Sequence, residues 1–398
     1  KVSDLSEDME IYTASDLVKF RDRVNKGATY KGRTIKVMND IDLRSVCSSE
    51  NSWEPIGIVD NTTQDILTPF SGTFNGNNKT IDYLYINESS NVAQGLFSAI
   101  QNATILGVII GENSNINGGN NSAGIIGYSV NSDILYCGNN ANVTANGDGC
   151  AAGIVGALDG GKIIACYNKG NIVGNACVGG ICGDSWRYTQ EDDEKKIEIK
   201  YSYNTGRIKS TGNFAGGICG LAEGYTKIEK CYNKGKVISN NEACGGISGK
   251  LSPNRYVNKI PTHAESAKVQ IIYSCNIGNV ESSGKRIGGI CGHNGQYCIV
   301  KNNYILTGIE IKIGTTTATK SIGEANQYIG RYVGATYDNS KTYIDGNEEI
   351  TNAVNTETGD ITNTVYYIVN GMSSNDSEYW DKLSPTEPKL KWELNLEK

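Results

Sequence analysis

The stretch GGICGLAEGYTKIEKCYNKGKV at residues 216–237 is one copy of a unit that the chain writes out again and again. Its opening motif recurs as AGIIG at 123–127, AGIVG at 152–156, GGICG at 179–183, GGISG at 245–249 and GGICG at 288–292. The glycine in the second column stands at 124, 153, 180, 217, 246 and 289, in steps of 29, 27, 37, 29 and 43. A degenerate first copy, Gly95-Leu96-Phe97, precedes them by another 29 residues. The base period is 28 or 29 residues, and the longer steps carry extra loops.

The second half of the unit repeats in phase, as ILYCGNNANV at 134–143, IIACYNKGNI at 163–172, IKYSYNTGRI at 199–208, IEKCYNKGKV at 228–237 and IIYSCNIGNV at 271–280. Its first column is always Ile. Its fourth is Cys137, Cys166, Ser202, Cys231 and Ser274, small and semi-polar. Its sixth is always Asn: Asn139, Asn168, Asn204, Asn233 and Asn276.

Such units are β-branched and Gly-rich, with short alternating runs and no helical period. One unit cannot bury its apolar face alone, but stacking unit on unit lays identical columns about 4.8 Å apart and builds a continuous core. The predicted fold is therefore all-β, a right-handed parallel β-helix with three short strands per coil. A β-propeller needs longer repeats, of about 40 to 50 residues. If the Cys/Ser and Asn columns point inward, the column between them points out. That outer column is Gly138, Tyr167, Tyr203, Tyr232 and Cys275, and the inner Asn carboxamides are expected to hydrogen-bond along the stack.

Composition agrees and narrows the function. Gly accounts for 48 of 398 residues and Pro for only 6, which argues for a turn-rich β structure rather than a disordered chain. The net charge of −6 offers no footprint for nucleic acid or an anionic membrane. Two histidines, His263 and His293, exclude His-rich metal sites. No apolar run reaches membrane-spanning length. The chain begins at Lys1 with no Met or signal peptide, so we expect a piece cut from a longer precursor.

A solenoid must blunt its ends. Residues 13–26 read as an N-terminal capping helix, with Thr13 or Ser15 as N-cap, an apolar stripe of Leu17, Val18, Phe20 and Val24, and Gly27 as stop. Trp380, Pro388, Leu390 and Trp392 are expected to close the last coil. This divides the chain into a cap (1–60), the β-helix (61–304) with insertions at 184–198 and 250–270, and final coils with a C-terminal cap (305–398). The insertions are expected to project on one side, and Thr364 to Val369 reads as a further strand.

FSGTFNGNNKTIDYLYI at 70–86, GLF at 95–97 and the reiterated GGICG units resemble the GLUG-motif repeat proteins of bacterial cell surfaces. The lead-in IYTASDLVKFRDRVNKG, with NDIDL at 39–43 and WEPIG at 53–57, is similar to theirs, as is the closing W…PKLKW. The resemblance implies a right-handed parallel β-helix and a secreted or cell-surface, adhesin-like protein. Related repeats also occur beside the protease domain of bacterial IgA-cleaving metallopeptidases, but these 398 residues contain no His-Glu-x-x-His.

The candidate ligand-binding residues are Tyr167, Tyr203 and Tyr232, read as an exposed aromatic ladder suited to a glycan, with Trp186 and Tyr188 in the nearby insertion. Stacked rings that merely brace adjacent strands are the structural alternative. Eleven of the 12 cysteines lie between 137 and 298, and several occupy fixed columns, such as Cys137, Cys166 and Cys231, or Cys182, Cys219 and Cys291. They read as small core residues, with disulfides between neighbouring coils or a metal site as lesser alternatives. No pair of carboxylates stands out as catalytic, and no cofactor is expected. The sequence thus predicts a non-enzymatic, extracellular protein whose partner is a glycan or host surface protein, with a monomer as the simplest state. A carbohydrate-active β-helix enzyme is one alternative, and a stalk for a domain such as a metallopeptidase another.

Overall fold

The structure is a computed structural model, describing residues 7–186, 197–252, 269–323, 327–336, 342–350, 365–373, 375–381 and 388–395. The helix Ala14–Asn25 forms where its stripe predicts. Thr13 and Asp16 close a reciprocal capping box, and Ala14, Leu17, Phe20 and Val24 are buried. Phe20 meets Tyr30, Phe70 and Phe74 at ring distances of 5.1, 5.5 and 5.6 Å, sealing the first coil with an aromatic plug.

Above this plug the chain winds as a parallel β-helix. Its strands stack into three faces, a long one of 24 strands and two others of nine and seven, among the described residues. The pairings along all three are parallel, apart from one hairpin pair at Ile311–Ile313 with Thr316–Thr317 in the nine-stranded face; Ile58–Val59 and Ile66–Thr68 form a separate antiparallel hairpin. The repeat columns are the register: Ile134, Ile163, Ile199, Ile228, Ile271, Val300 and Ile344 pair in succession, all but Ile344 fully buried. On the long face each coil bends before the Cys/Ser column, at Tyr136, Ala165, Tyr201, Lys230 and Tyr273, where φ is +50° to +56°.

That bend explains the Cys/Ser column. After the left-handed residue the next side chain folds back onto the carbonyl two residues before it, an oxygen that at Lys200 and Ile272 also accepts an N–H from the neighbouring coil. Cys137 Sγ donates to Leu135 O, Ser202 Oγ to Lys200 O and Ser274 Oγ to Ile272 O. The same atoms accept from the neighbouring coil, as when Cys166 N–H donates to Ser202 Oγ at 3.1 Å. Serving both sides takes a side chain with a donor and an acceptor, and Asn303 does the same one coil further on. Ala or Val would fill the space and leave buried amides unmatched.

The Asn column forms the expected ladder. Each Nδ2 donates to the Oδ1 one coil on, Asn139 to Asn168, to Asn204, to Asn233, to Asn276, at 2.7–2.9 Å. Each also donates to the corner carbonyl two residues ahead, as Asn204 does to Gly206 O at 2.8 Å. All five are fully buried. The Gly motif packs directly on this ladder: a Cβ at Gly180 or Gly217 would intrude on the carboxamide of Asn204 or Asn233. The two halves of the sequence repeat are therefore the two sides of one contact.

Two expectations fail at the C-terminal end. Val365–Val369 is a short helix, not a strand. The segment bearing Trp380, Leu390 and Trp392 does not close the last coil but lies back along the side of the stack, where Trp392 Nε1 donates to Ala165 O at 2.8 Å. Both insertions leave the long face at one register, since Ser185 pairs with Ala222 and Ala222 with Leu251. Residues 187–196 and 253–268 themselves lie outside the described residues.

His293, 1% exposed, sits beside Lys250 on the next coil. Burial, aided by the charges of Arg286 and Lys250, pushes its pKa down from 6.5 to about 3. The native fold thus binds fewer protons here than the unfolded chain. Its contribution is complete above pH 6.5 and is lost as pH falls toward 3, with a slope of at most about 1.4 kcal/mol per pH unit. Urea unfolding across this range should show that acid loss flattened in His293→Gln.

Candidate functional site

The tyrosine ladder exists. Tyr167 and Tyr203 stack at 5.6 Å and 20°, Tyr203 and Tyr232 at 5.0 Å and 2°. Its exposure does not: Tyr167, Tyr203 and Tyr232 are only 3%, 3% and 2% accessible. The rings do point out of the coil, in a cluster separate from the interior core, but Val365–Val369, Trp380, Leu390 and Trp392 cover them. Trp392 stacks on Tyr167 at 5.6 Å and Trp380 leans on Tyr232 at 5.5 Å. The phenols are satisfied within the chain as well. Tyr203 Oη donates to Glu393 Oε1 at 2.7 Å, Tyr232 Oη donates to Pro388 O at 3.0 Å, and Lys169 Nζ lies 3.1 Å from Glu393 Oε1. Burial, with the Glu393 carboxylate beside it, drives the Tyr203 phenol well above its ordinary pKa. The physical reason is plain. A row of outward rings leaves apolar surface that a tryptophan-bearing segment of the same chain removes from water.

Trp186 fares differently. It ends the strand Cys182–Trp186, half-buried, in a column that runs Val130, Asp159, Trp186. Tyr128 comes from two coils earlier, and the intervening position is Ala157. That small residue lets the two rings approach to 6.5 Å at 14°. A hairpin loop forms the opposite wall. Asp60 Oδ1 accepts the N–H groups of Thr62 and Thr63 at 2.8 Å each, closing an Asx turn that presents Gln64 and Asp65. Asn61 ties this loop to the next coil, accepting from Val92 N–H at 3.0 Å. Val59, Val92, Ala93 and Ala99 make an apolar floor.

The result is a cavity of 520 Å³ lined by Tyr128, Trp186, Asp65, Asp159, Asn121 and Asn131 among others. Two near-parallel rings, two carboxylates and the three carboxamides of Gln64, Asn121 and Asn131 around one groove suit a polyhydroxylated ring, with aromatic faces for C–H surfaces and fixed acceptors and donors for hydroxyls. Sequence reading found Trp186 but missed Tyr128, Asp65 and Asp159. Only the coil-to-coil register, which places residues 128 and 186 on one face, brings them together. Tyr188 lies outside the described residues.

Nine of the twelve thiols line the interior, as the column reading expects, and all twelve are free and buried. Enclosure pushes the interior thiols of Cys231 and Cys291 up to about 12.

No protein-family model matches the chain, and no curated protein matches its sequence. Among solved structures, the chain is similar to a crystal structure described as "a putative immunoglobulin A1 protease from Bacteroides ovatus". The match has a TM-score of 0.59 and 19% identity, covering 96% of this chain and 92% of that one. The two share the fold along almost their whole lengths.

Proposed function

We propose that this chain is a secreted, adhesin-like β-helix of the GLUG-motif kind that binds a glycan in the groove between Trp186, Tyr128 and the 60–65 loop. One observation carries the reading: two stacked, half-buried rings share a 520 Å³ cavity with Asp65 and Asp159. The covered tyrosine ladder plays no part in it. The chain has no His-Glu-x-x-His, so the reading rests on the groove and not on the description of the Bacteroides ovatus protein. A glycan array probed with the whole chain should give a defined set of ligands. Trp186→Ala should weaken them about tenfold, the loss of one stacking platform and its area. Ligands bound equally well by Trp186→Ala, or none at all, would overturn the proposal.

The two carboxylates of the groove also favour a second reading, glycoside cleavage by a paired acid and base. Release of reducing ends from a bound glycan, abolished by Asp159→Asn while binding persists, would replace the binding reading with that one.

A further inference from the structure

Of the three thiols outside the interior, Cys275 belongs to the tyrosine column, which leaves Cys150 and Cys177. They form a small outer cluster with Leu221, Ala176 and Phe214, at the corner between the seven-stranded face and the long face. Each stands one residue before Ala151 or Val178, which pair with each other, so the two thiols stack on neighbouring coils. Asp184 reaches the same point from the long face, and the two Sγ atoms and a carboxylate oxygen all lie within 4.8 Å of one another. Gly183 makes room for this arrangement, because a Cβ there would come 2.7 Å from Cys150 Cβ. In other coils the positions paired with Cys177 hold Phe214 and Ala243, and those paired with Asp184 hold Ala157 and Leu221. All three donors meet at this one level of the stack; His293 continues the Asp184 column three coils on, without a cysteine beside it among the described positions paired with Cys177.

From this geometry we infer a metal site in which Cys150, Cys177 and Asp184 hold a zinc-class divalent cation. Two thiolates and one carboxylate are a borderline-soft donor set, suited to Zn²⁺ over Ca²⁺ or Mg²⁺. Tetrahedral Zn–S bonds of about 2.3 Å place two sulfurs nearly 4 Å apart, within reach of the present spacing by small side-chain rotations. Three protein ligands leave the fourth position for water or an exogenous group. Binding releases the thiol protons: the cation replaces two S–H protons, which pass to solvent. Without it, the hydrogen bond with Cys150 and burial keep the Cys177 thiol well above its ordinary pKa, so the site should load more tightly as pH rises. The site is independent of any glycan in the groove, although Asp184 and Trp186 share one strand face two residues apart.

The test uses the whole chain, reduced, stripped with a chelator and handled without oxygen. Titration with Co²⁺ should develop a sulfur-to-cobalt charge-transfer band that saturates at one ion per chain and is displaced by Zn²⁺. Cys150→Ser and Cys177→Ser should each abolish the band, Asp184→Asn should weaken Co²⁺ binding about tenfold or more, and the interior variant Cys137→Ser should leave the band unchanged. Circular dichroism confirms that each variant keeps its strands. A chain that takes up no Co²⁺, a band that survives Cys150→Ser, or a Cys150–Cys177 disulfide in protein never exposed to air would overturn the proposal.

Discussion

Gly217→Ala is expected to be among the most damaging substitutions the chain can carry, at 3 kcal/mol or about that. The added Cβ would press on Asn233 Cγ and on the carbonyl oxygen of Gly246 together. Neither can yield. The Asn233 carboxamide is held by Asn204, Asn276 and Gly235 O, and Gly246 lies in the turn of the next coil. A crowded core normally relaxes by a rotamer change, but here the obstruction is backbone and a side chain bonded at both ends. Because a stacked array need not unfold as one unit, the effect is best read locally. Hydrogen exchange should rise sharply across 197–252 while the first coils keep their protection. Protection unchanged across 197–252 would refute the ladder contact.

The second large effect belongs to Trp380→Ala. Trp380 is fully buried against Tyr203 and Tyr232, at 6.4 and 5.5 Å. Removing such a side chain costs about 3–5 kcal/mol. That energy resides in a contact between the outside of the stack and a covering segment, so its loss should release the segment and leave the coils intact. Amides of 388–395 should lose protection, and Tyr203 and Tyr232 should become open to nitration, identified by peptide mass spectrometry. The Glu393 contacts to Tyr203 and Lys169 would be surrendered together with the tryptophan. If nitration of both tyrosines stays at its wild-type level, the segment is held by something other than this packing.

The repeat columns made the core legible. Ile134 to Ile271, the five asparagines and the recurrent glycines pair as their spacing says, because in-register parallel stacking is the arrangement that lets identical side chains meet at a fixed interval. The capping helix was legible too, since Thr13, Asp16 and the apolar stripe are local signals. The groove was half legible. Trp186 stood out as an aromatic at an insertion, whereas Tyr128 carries no mark in its own surroundings.

What the sequence determined by itself is the coil, its period and the direction of every repeated side chain, for each follows from contacts that recur about 29 residues apart. What only the tertiary structure decided is which outward side chains meet water. The residues that cover the tyrosine ladder stand 190 positions away for Tyr203 and 156 for Tyr232. Nothing repeats across such a distance, and the segment's docking is one unrepeated event set by shape and by the apolar area of the rings. Direction was written in the pattern; accessibility was settled by a fold-back that no pattern records.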